Sequence, residues 1–122
     1  MKVLLADESG VVRGRLAGLL AHMPELEVHA AADGAEAVAA CRRLRPELLI
    51  LDLLLPGGGL RALHEAKRAS PATRVIVLTN YVLPQNRRRC FAAGAEFFLD
   101  KSREFDEAVR IVGRLHGLEA QP

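Results

Sequence analysis

A small set of polar residues stands out because each one ends an aliphatic run. KVLLA (Lys2–Ala6) leads into Asp7-Glu8, LLIL (Leu48–Leu51) into Asp52, RVIVL (Arg74–Leu78) into Thr79, and EFFL (Glu96–Leu99) into Asp100-Lys101. Asp52 is the most demanding of them, with Leu48, Leu49, Ile50 and Leu51 before it and Leu53, Leu54 and Leu55 between it and Pro56. A carboxylate ionised in such surroundings is costly unless cations or hydrogen-bond donors hold it. If the runs are parallel strands of one sheet, these residues meet at one edge. Clustered carboxylates repel one another and are best held by a divalent cation that prefers oxygen, typically Mg²⁺. A hydroxyl and an ammonium beside them suit a dianionic, oxygen-rich group such as a phosphoryl.

The elements that must position these residues follow from periodicity. A fifth apolar run, LEVHA (Leu26–Ala30), joins the four above, and helix-period segments separate them. Val12, Leu16, Leu19, Leu20 and Met23 share one helical face, as do Phe105, Ala108, Val109, Val112 and Leu115. Asp33-Gly34 followed by Glu36 reads as an N-cap with an acidic first turn, opening a helix that ends near Pro46. Pro71 and Pro84 punctuate the chain on either side of the fourth run, and Gly94 closes the helix before the fifth. Such alternation, with near-continuous apolar strands, predicts an α/β domain with a parallel sheet covered by helices on both faces. Ligands of open parallel sheets bind beyond the carboxyl ends of the strands, where the polar residues fall. Lys101 and Asp100 are neighbours on a strand and face opposite sides, which favours Lys101 for the site.

Composition sets the outer bounds. The 122 residues make one domain, 1–122, long enough to bury a core without staples. Four phenylalanines, one tyrosine and no tryptophan predict an aliphatic core. A net charge of +2 is too mild to imply nucleic acid. The basic runs Arg42-Arg43-Arg45 and Arg87-Arg88-Arg89 read as solvated helix faces, without a helix-turn-helix or interleaved aromatics. Cys41 and Cys90 match no metal or redox spacing and read as small apolar residues in a reducing compartment. Gly57-Gly58-Gly59 reads as a mobile loop, and the Gly10, Gly14, Gly18 spacing as a surface for close helix packing. No signal peptide or membrane span is visible, so the expected location is the cytoplasm.

Taken together, the acidic pair Asp7-Glu8, the LDLLLP context of Asp52, Thr79 ending VIVLT and Lys101 ending GAEFFLDK resemble the receiver domain of two-component response regulators, across essentially the whole chain. The resemblance implies a flavodoxin-like, doubly wound, five-stranded parallel sheet in the order 2-1-3-4-5 with five helices. It implies a signalling phosphoacceptor, not an enzyme beyond its own phosphoryl transfer and hydrolysis. Asp52 would take a phosphoryl group from a sensor histidine kinase or a histidine phosphotransfer protein. Glu8 and Asp52 would bind Mg²⁺, with Asp7 holding metal waters and the backbone carbonyl of Leu54 completing the set. Lys101 would pair with Asp52 and then with phosphoryl oxygen. Thr79 would swing toward the phosphoryl and Phe98 would follow it inward, remodelling a face read by a downstream protein or detached output domain. Leu54 and Tyr81 would flank the path of the water that removes the phosphoryl.

This chain departs from the common receiver pattern at four places: Glu8 in place of Asp, Asn80 in place of a small residue, Ser102 in place of proline, and a PGGGL loop about one residue short, so that the third helix starts early. A phosphorylation-independent binding module on the same fold is the alternative reading. A phosphatase with an aspartyl nucleophile is disfavoured by Ser9, where a second acid would stand, and a flavin carrier by ESGVVRG, which offers no hydroxyl-rich phosphate loop.

Overall fold

The computed structural model describes residues 1–119. Strands and helices alternate: β1 (Lys2–Ala6), α1 (Gly10–Leu20), β2 (Glu27–Ala31), α2 (Gly34–Leu44), β3 (Leu48–Leu51), α3 (Gly59–Ala69), β4 (Arg74–Thr79), α4 (Pro84–Ala92), β5 (Phe97–Asp100) and α5 (Phe105–Glu119). The strands are parallel in the order β2-β1-β3-β4-β5, as the resemblance implied. Side chains alternate across the pleat, so the sheet buries two separate apolar layers. Leu4, Leu49, Val75 and Val77 pack with Ala37, Cys41, Leu63, Ala66 and Cys90 from α2, α3 and α4. On the other face Val3, Leu5, Ile50, Ile76 and Leu78 pack with Leu16 and Leu20 of α1 and Ala108, Ile111 and Val112 of α5. All four residues of β3 are buried, which is why its sequence runs apolar without alternation.

Local chemistry fixes the ends. The Ser9 hydroxyl accepts from the Val12 N–H and caps α1. Asp33 caps α2 through the Glu36 N–H at 2.8 Å, while Glu36 reaches back to the Ala32 N–H. Arg45 closes α2 in the left-handed region just before Pro46. Pro84 is the first residue of α4, and Gly94 follows that helix at φ +108°.

Several expectations need correction. β2 and β5 each sit one residue later than the apolar runs suggest, because Leu26 packs from outside the strand and Glu96 turns outward to Arg74. Helix α1 ends at Leu20, leaving Leu19 exposed; Met23, beyond the helix, instead packs over Gly113 of α5. Gly14 and Gly18 face open space and serve no close packing. Both cysteines are fully buried, and burial pushes the Cys41 thiol up to about 11 and the Cys90 thiol upward as well.

The glycine run is built, not loose. Gly57 and Gly58 take left-handed φ values of +91° and +97°, letting α3 start at Gly59. The Gly34 N–H at the start of α2 binds the Pro56 carbonyl at 2.9 Å, and the Gly59 N–H binds that of Leu53 at 3.1 Å. A Cβ on Gly59 would lie 2.4 Å from Leu53 Cα and 2.6 Å from the Asp52 carbonyl oxygen. Only glycine lets α3 approach the loop after β3 so closely. Gly59→Ala should therefore cost about 2–3 kcal/mol by overpacking. Gly57→Ala, whose Cβ meets nothing, should cost only the left-handed backbone penalty of about 1 kcal/mol. Urea unfolding of both variants tests this: equal losses would refute the role of Gly59.

Candidate functional site

The carboxyl ends of β1, β3, β4 and β5 deliver Asp7, Asp52, Thr79 and Lys101 to one crevice. It lies where the chain's direction of winding reverses, β1 leading outward to β2 on one side and pairing with β3 on the other. Asp7 and Asp52 are each 6% exposed and Thr79 is fully buried. Lys101 Nζ lies 2.6 Å from Asp7 Oδ2 and 2.6 Å from Asp52 Oδ2. The remaining carboxylate oxygens are also served. Asp52 Oδ1 accepts from the Thr79 hydroxyl at 2.8 Å and the Leu54 N–H at 3.1 Å, and Asp7 Oδ1 accepts from the Ser9 N–H at 2.8 Å. Burial alone would lower the Lys101 pKa, but hydrogen bonds and charge from Asp52 and Asp7 outweigh it and raise the value, so the group stays an ammonium.

Asp7, Asp52, Thr79 and Lys101 thus converge as the strand ends suggest. Glu8 does not join them. It lies one residue further along and is exposed, and among the described residues no three carboxylate, imidazole or thiol side chains gather closely enough to chelate an ion. Among the described residues the expected three-carboxylate set is therefore not assembled, and Lys101 bridges the two inner acids. The donor chemistry still suits a hard cation. Two carboxylates face each other, Glu8 is exposed next to them, and among the described residues no donor is bonded to the Leu54 carbonyl.

Phe98 is 7% exposed, packed in the layer that includes Cys90 and Ala95, so it already lies inward. Leu54 and Tyr81 are half-exposed, at 50% and 47%. Together with Leu53, Gly59, Asn86 and Cys90 they line a cavity of about 410 Å³ between α3 and α4. The Tyr81 N–H binds Thr79 Oγ1 at 3.2 Å, linking the β4–α4 loop to Asp52 through one hydroxyl.

Arg13 was not legible as a site residue. Its Nη1 donates to the carbonyls of Asp7 at 2.7 Å and Glu8 at 3.0 Å, clamping the loop that carries both acids. The usable signal was its place one turn into a helix capped by Ser9, which turns its side chain back toward β1.

Residues 3–112 match the model of the response regulator receiver domain family. The chain is 34% identical over 121 residues to the uncharacterized transcriptional regulatory protein YhcZ of Bacillus subtilis strain 168, covering 98% of this chain and 56% of that protein. It spans about half the length of the curated relatives it matches. Among solved structures, a LuxR-family two-component response regulator from Aurantimonas sp. SI85-9A1 superposes with a TM-score of 0.84 at 29% identity, covering 93% of this chain and 83% of that one. A Burkholderia pseudomallei response regulator, solved with a phosphorylated aspartic acid, a calcium ion and citrate, shares the fold at a TM-score of 0.80 and 23% identity, over 98% of this chain and 75% of that one. The match over nearly the whole length, on a fold that brings two acids, a threonine and a lysine to one sheet edge, establishes that the chain belongs to the receiver domain family of two-component response regulators.

Proposed function

We propose that Asp52 is the phosphoacceptor of this domain. The observation that carries this reading is the set of donors around its carboxylate: Lys101 at 2.6 Å, Thr79 at 2.8 Å and the Leu54 N–H at 3.1 Å. An Asp52 oxygen attacks the phosphorus of a phosphohistidine on a sensor kinase or histidine phosphotransfer protein. The new O–P bond forms as the P–N bond breaks, and the electron pair leaves on the imidazole nitrogen. Lys101 and Thr79 then bind phosphoryl oxygens in place of the carboxylate they hold beforehand. Asp7, Asp52, the Leu54 carbonyl and a reoriented Glu8 would hold Mg²⁺, which when bound neutralises charge on the transferring group. Thr79 carries the change to Tyr81 and Phe98, and thence to a downstream protein or a detached output domain. A phosphohistidine donor and two unpaired, buried cysteines favour the cytoplasm. Among the described residues no helix is long and apolar enough to cross a membrane.

With Mg²⁺ and acetyl phosphate the chain should gain one phosphoryl group by intact-mass measurement, and Asp52→Asn should gain none. Undiminished labelling of that variant would falsify the assignment and favour a phosphorylation-independent module.

Lys101 has a second, separable signature. Lys101→Met leaves two buried carboxylates facing each other without a counter-charge, which should cost about 3–5 kcal/mol in urea without Mg²⁺. Added Mg²⁺ should restore more stability to the variant than it adds to the wild type. The pKa of Lys101 is higher folded than unfolded, so its stabilisation is full below the ordinary lysine value and is lost as pH rises through the folded one. The wild type should therefore weaken above about pH 10, a loss that Lys101→Met should lack. Identical alkaline profiles would refute the pairing.

The phosphoryl group should be long-lived. Leu54 offers no hydrogen bond to orient a water, and the Tyr81 ring flanks the approach. Leu54→Asn, alone or with Tyr81→Glu, should speed phosphoryl loss about tenfold, ~1.4 kcal/mol off the barrier. If neither variant decays faster, these side chains do not control water access.

A further inference from the structure

Asn80 immediately follows Thr79, and Ser102 immediately follows Lys101. Both are departures from the common receiver pattern, which carries a small residue and a proline there. In this chain the two side chains meet. Ser102 Oγ lies 3.1 Å from Asn80 Oδ1 and 2.9 Å from Asp100 Oδ1. One hydroxyl proton serves one acceptor at a time, and the charged carboxylate takes it more strongly. Turning the Asn80 amide over presents an N–H to Ser102 Oγ, so that Asn80, Ser102 and Asp100 form one polar chain.

The two ends of that chain are anchored unequally. Asp100 is braced on every side. Its carboxylate also accepts from the Ser102 N–H at 2.9 Å, its carbonyl accepts from Arg103 and Glu104, and its N–H donates to the Glu104 carboxylate. The Ser102 hydroxyl and N–H accordingly hold its carboxyl below the usual range. Asn80, by contrast, opens the exposed segment that continues through Tyr81, Val82 and Leu83. One residue back, the Lys101 N–H donates to the Thr79 carbonyl at 2.9 Å. The loop after β4 is thus tied to the loop after β5 twice, by backbone and then by side chains.

We propose that Asn80 and Ser102 form a latch that positions Thr79 and Lys101 as a pair and so sets the rate at which Asp52 takes up a phosphoryl group. The inference rests on Asp52 being the acceptor. Neither latch residue is bonded to Asp52, so both are positioning residues, acting through the strand ends they follow. Because both are exposed, losing the bond between them should barely change global stability.

The test is a double-mutant cycle on phosphoryl uptake from acetyl phosphate at saturating Mg²⁺, using Asn80→Ala, Ser102→Ala and the double variant. Each single change should slow uptake about threefold, and the double should be no slower than either, the signature of one shared contact. Ser102→Thr, which keeps the hydroxyl, should match the wild type, and all thermal midpoints should agree closely. Additive losses, wild-type rates in the single variants, or faster uptake in Asn80→Ala would each overturn the latch while leaving Asp52 as acceptor. Absence of uptake by the wild type itself would overturn both.

Discussion

The site depends on one ammonium group. Two carboxylates, each less than a tenth exposed, face each other across the β1–β3 boundary, and Lys101 is bonded to both. Such a pair is untenable without a counter-charge, since desolvation and mutual repulsion both oppose ionisation. The sheet order explains why the cation is lysine. β5 lies two strands from β3, roughly 10 Å at ordinary strand spacing. A four-carbon stem and the aspartate side chain reaching toward it close that gap together, through a hydrogen bond of 2.6 Å to the compact charge at the lysine tip. The strand between them must then end in something small that does not block the stem, and β4 ends in fully buried Thr79. The hydroxyl fills the gap and satisfies the Asp52 oxygen that Lys101 does not reach.

From that constraint the surrounding loops acquire their form. Each carboxylate oxygen remaining after Lys101 takes a backbone N–H or a hydroxyl from the loop after its own strand or the neighbouring one. The β1–α1 loop is held by the Ser9 cap and the Arg13 clamp, and the β3–α3 loop by Gly34 and Gly59 closing on Pro56 and Leu53. These donors do not balance the charge. They orient it, so that the Asp7 and Asp52 oxygens sit in fixed directions.

Much of this was legible in the amino-acid sequence because it is periodic or terminal. β1 and β3 were readable to the residue, since both run apolar until a carboxylate stops them, and the Asp33 cap was readable from its spacing to Glu36. What stayed hidden depends on contacts that carry no period. Three glycines in a row read as slack, yet Gly59 is fixed by a carbonyl passing 2.6 Å from where its Cβ would lie. Leu19 fits the apolar face of α1, but that helix stops one residue later, before the face extends far enough to cover it. Glu8 reads as a third member of the acidic cluster, yet it is exposed and gathers with no two other acids closely enough to chelate an ion among the described residues. Asn80 and Ser102 lie 22 residues apart in different loops, and nothing local announces their contact.

The unequal anchoring of these loops determines where a change at Asp52 can travel. The central strands β1, β3 and β4 are buried on both faces and cannot yield without opening two apolar layers. α1 and α2 have side-chain caps, and α3 packs on α2 and buries Gly59, Ala62, Leu63 and Ala66. α4 has nine residues, no side-chain cap, a single buried residue in Cys90, and three consecutive arginines with no acid among them. Segments with few buried contacts and exposed backbone open at the least cost. The loop that feeds α4 exposes Tyr81, Val82 and Leu83, and it is joined to Asp52 through the Thr79 hydroxyl. The Thr79 hydroxyl therefore couples the Asp52 carboxylate to the loop that feeds this lightly buried helix.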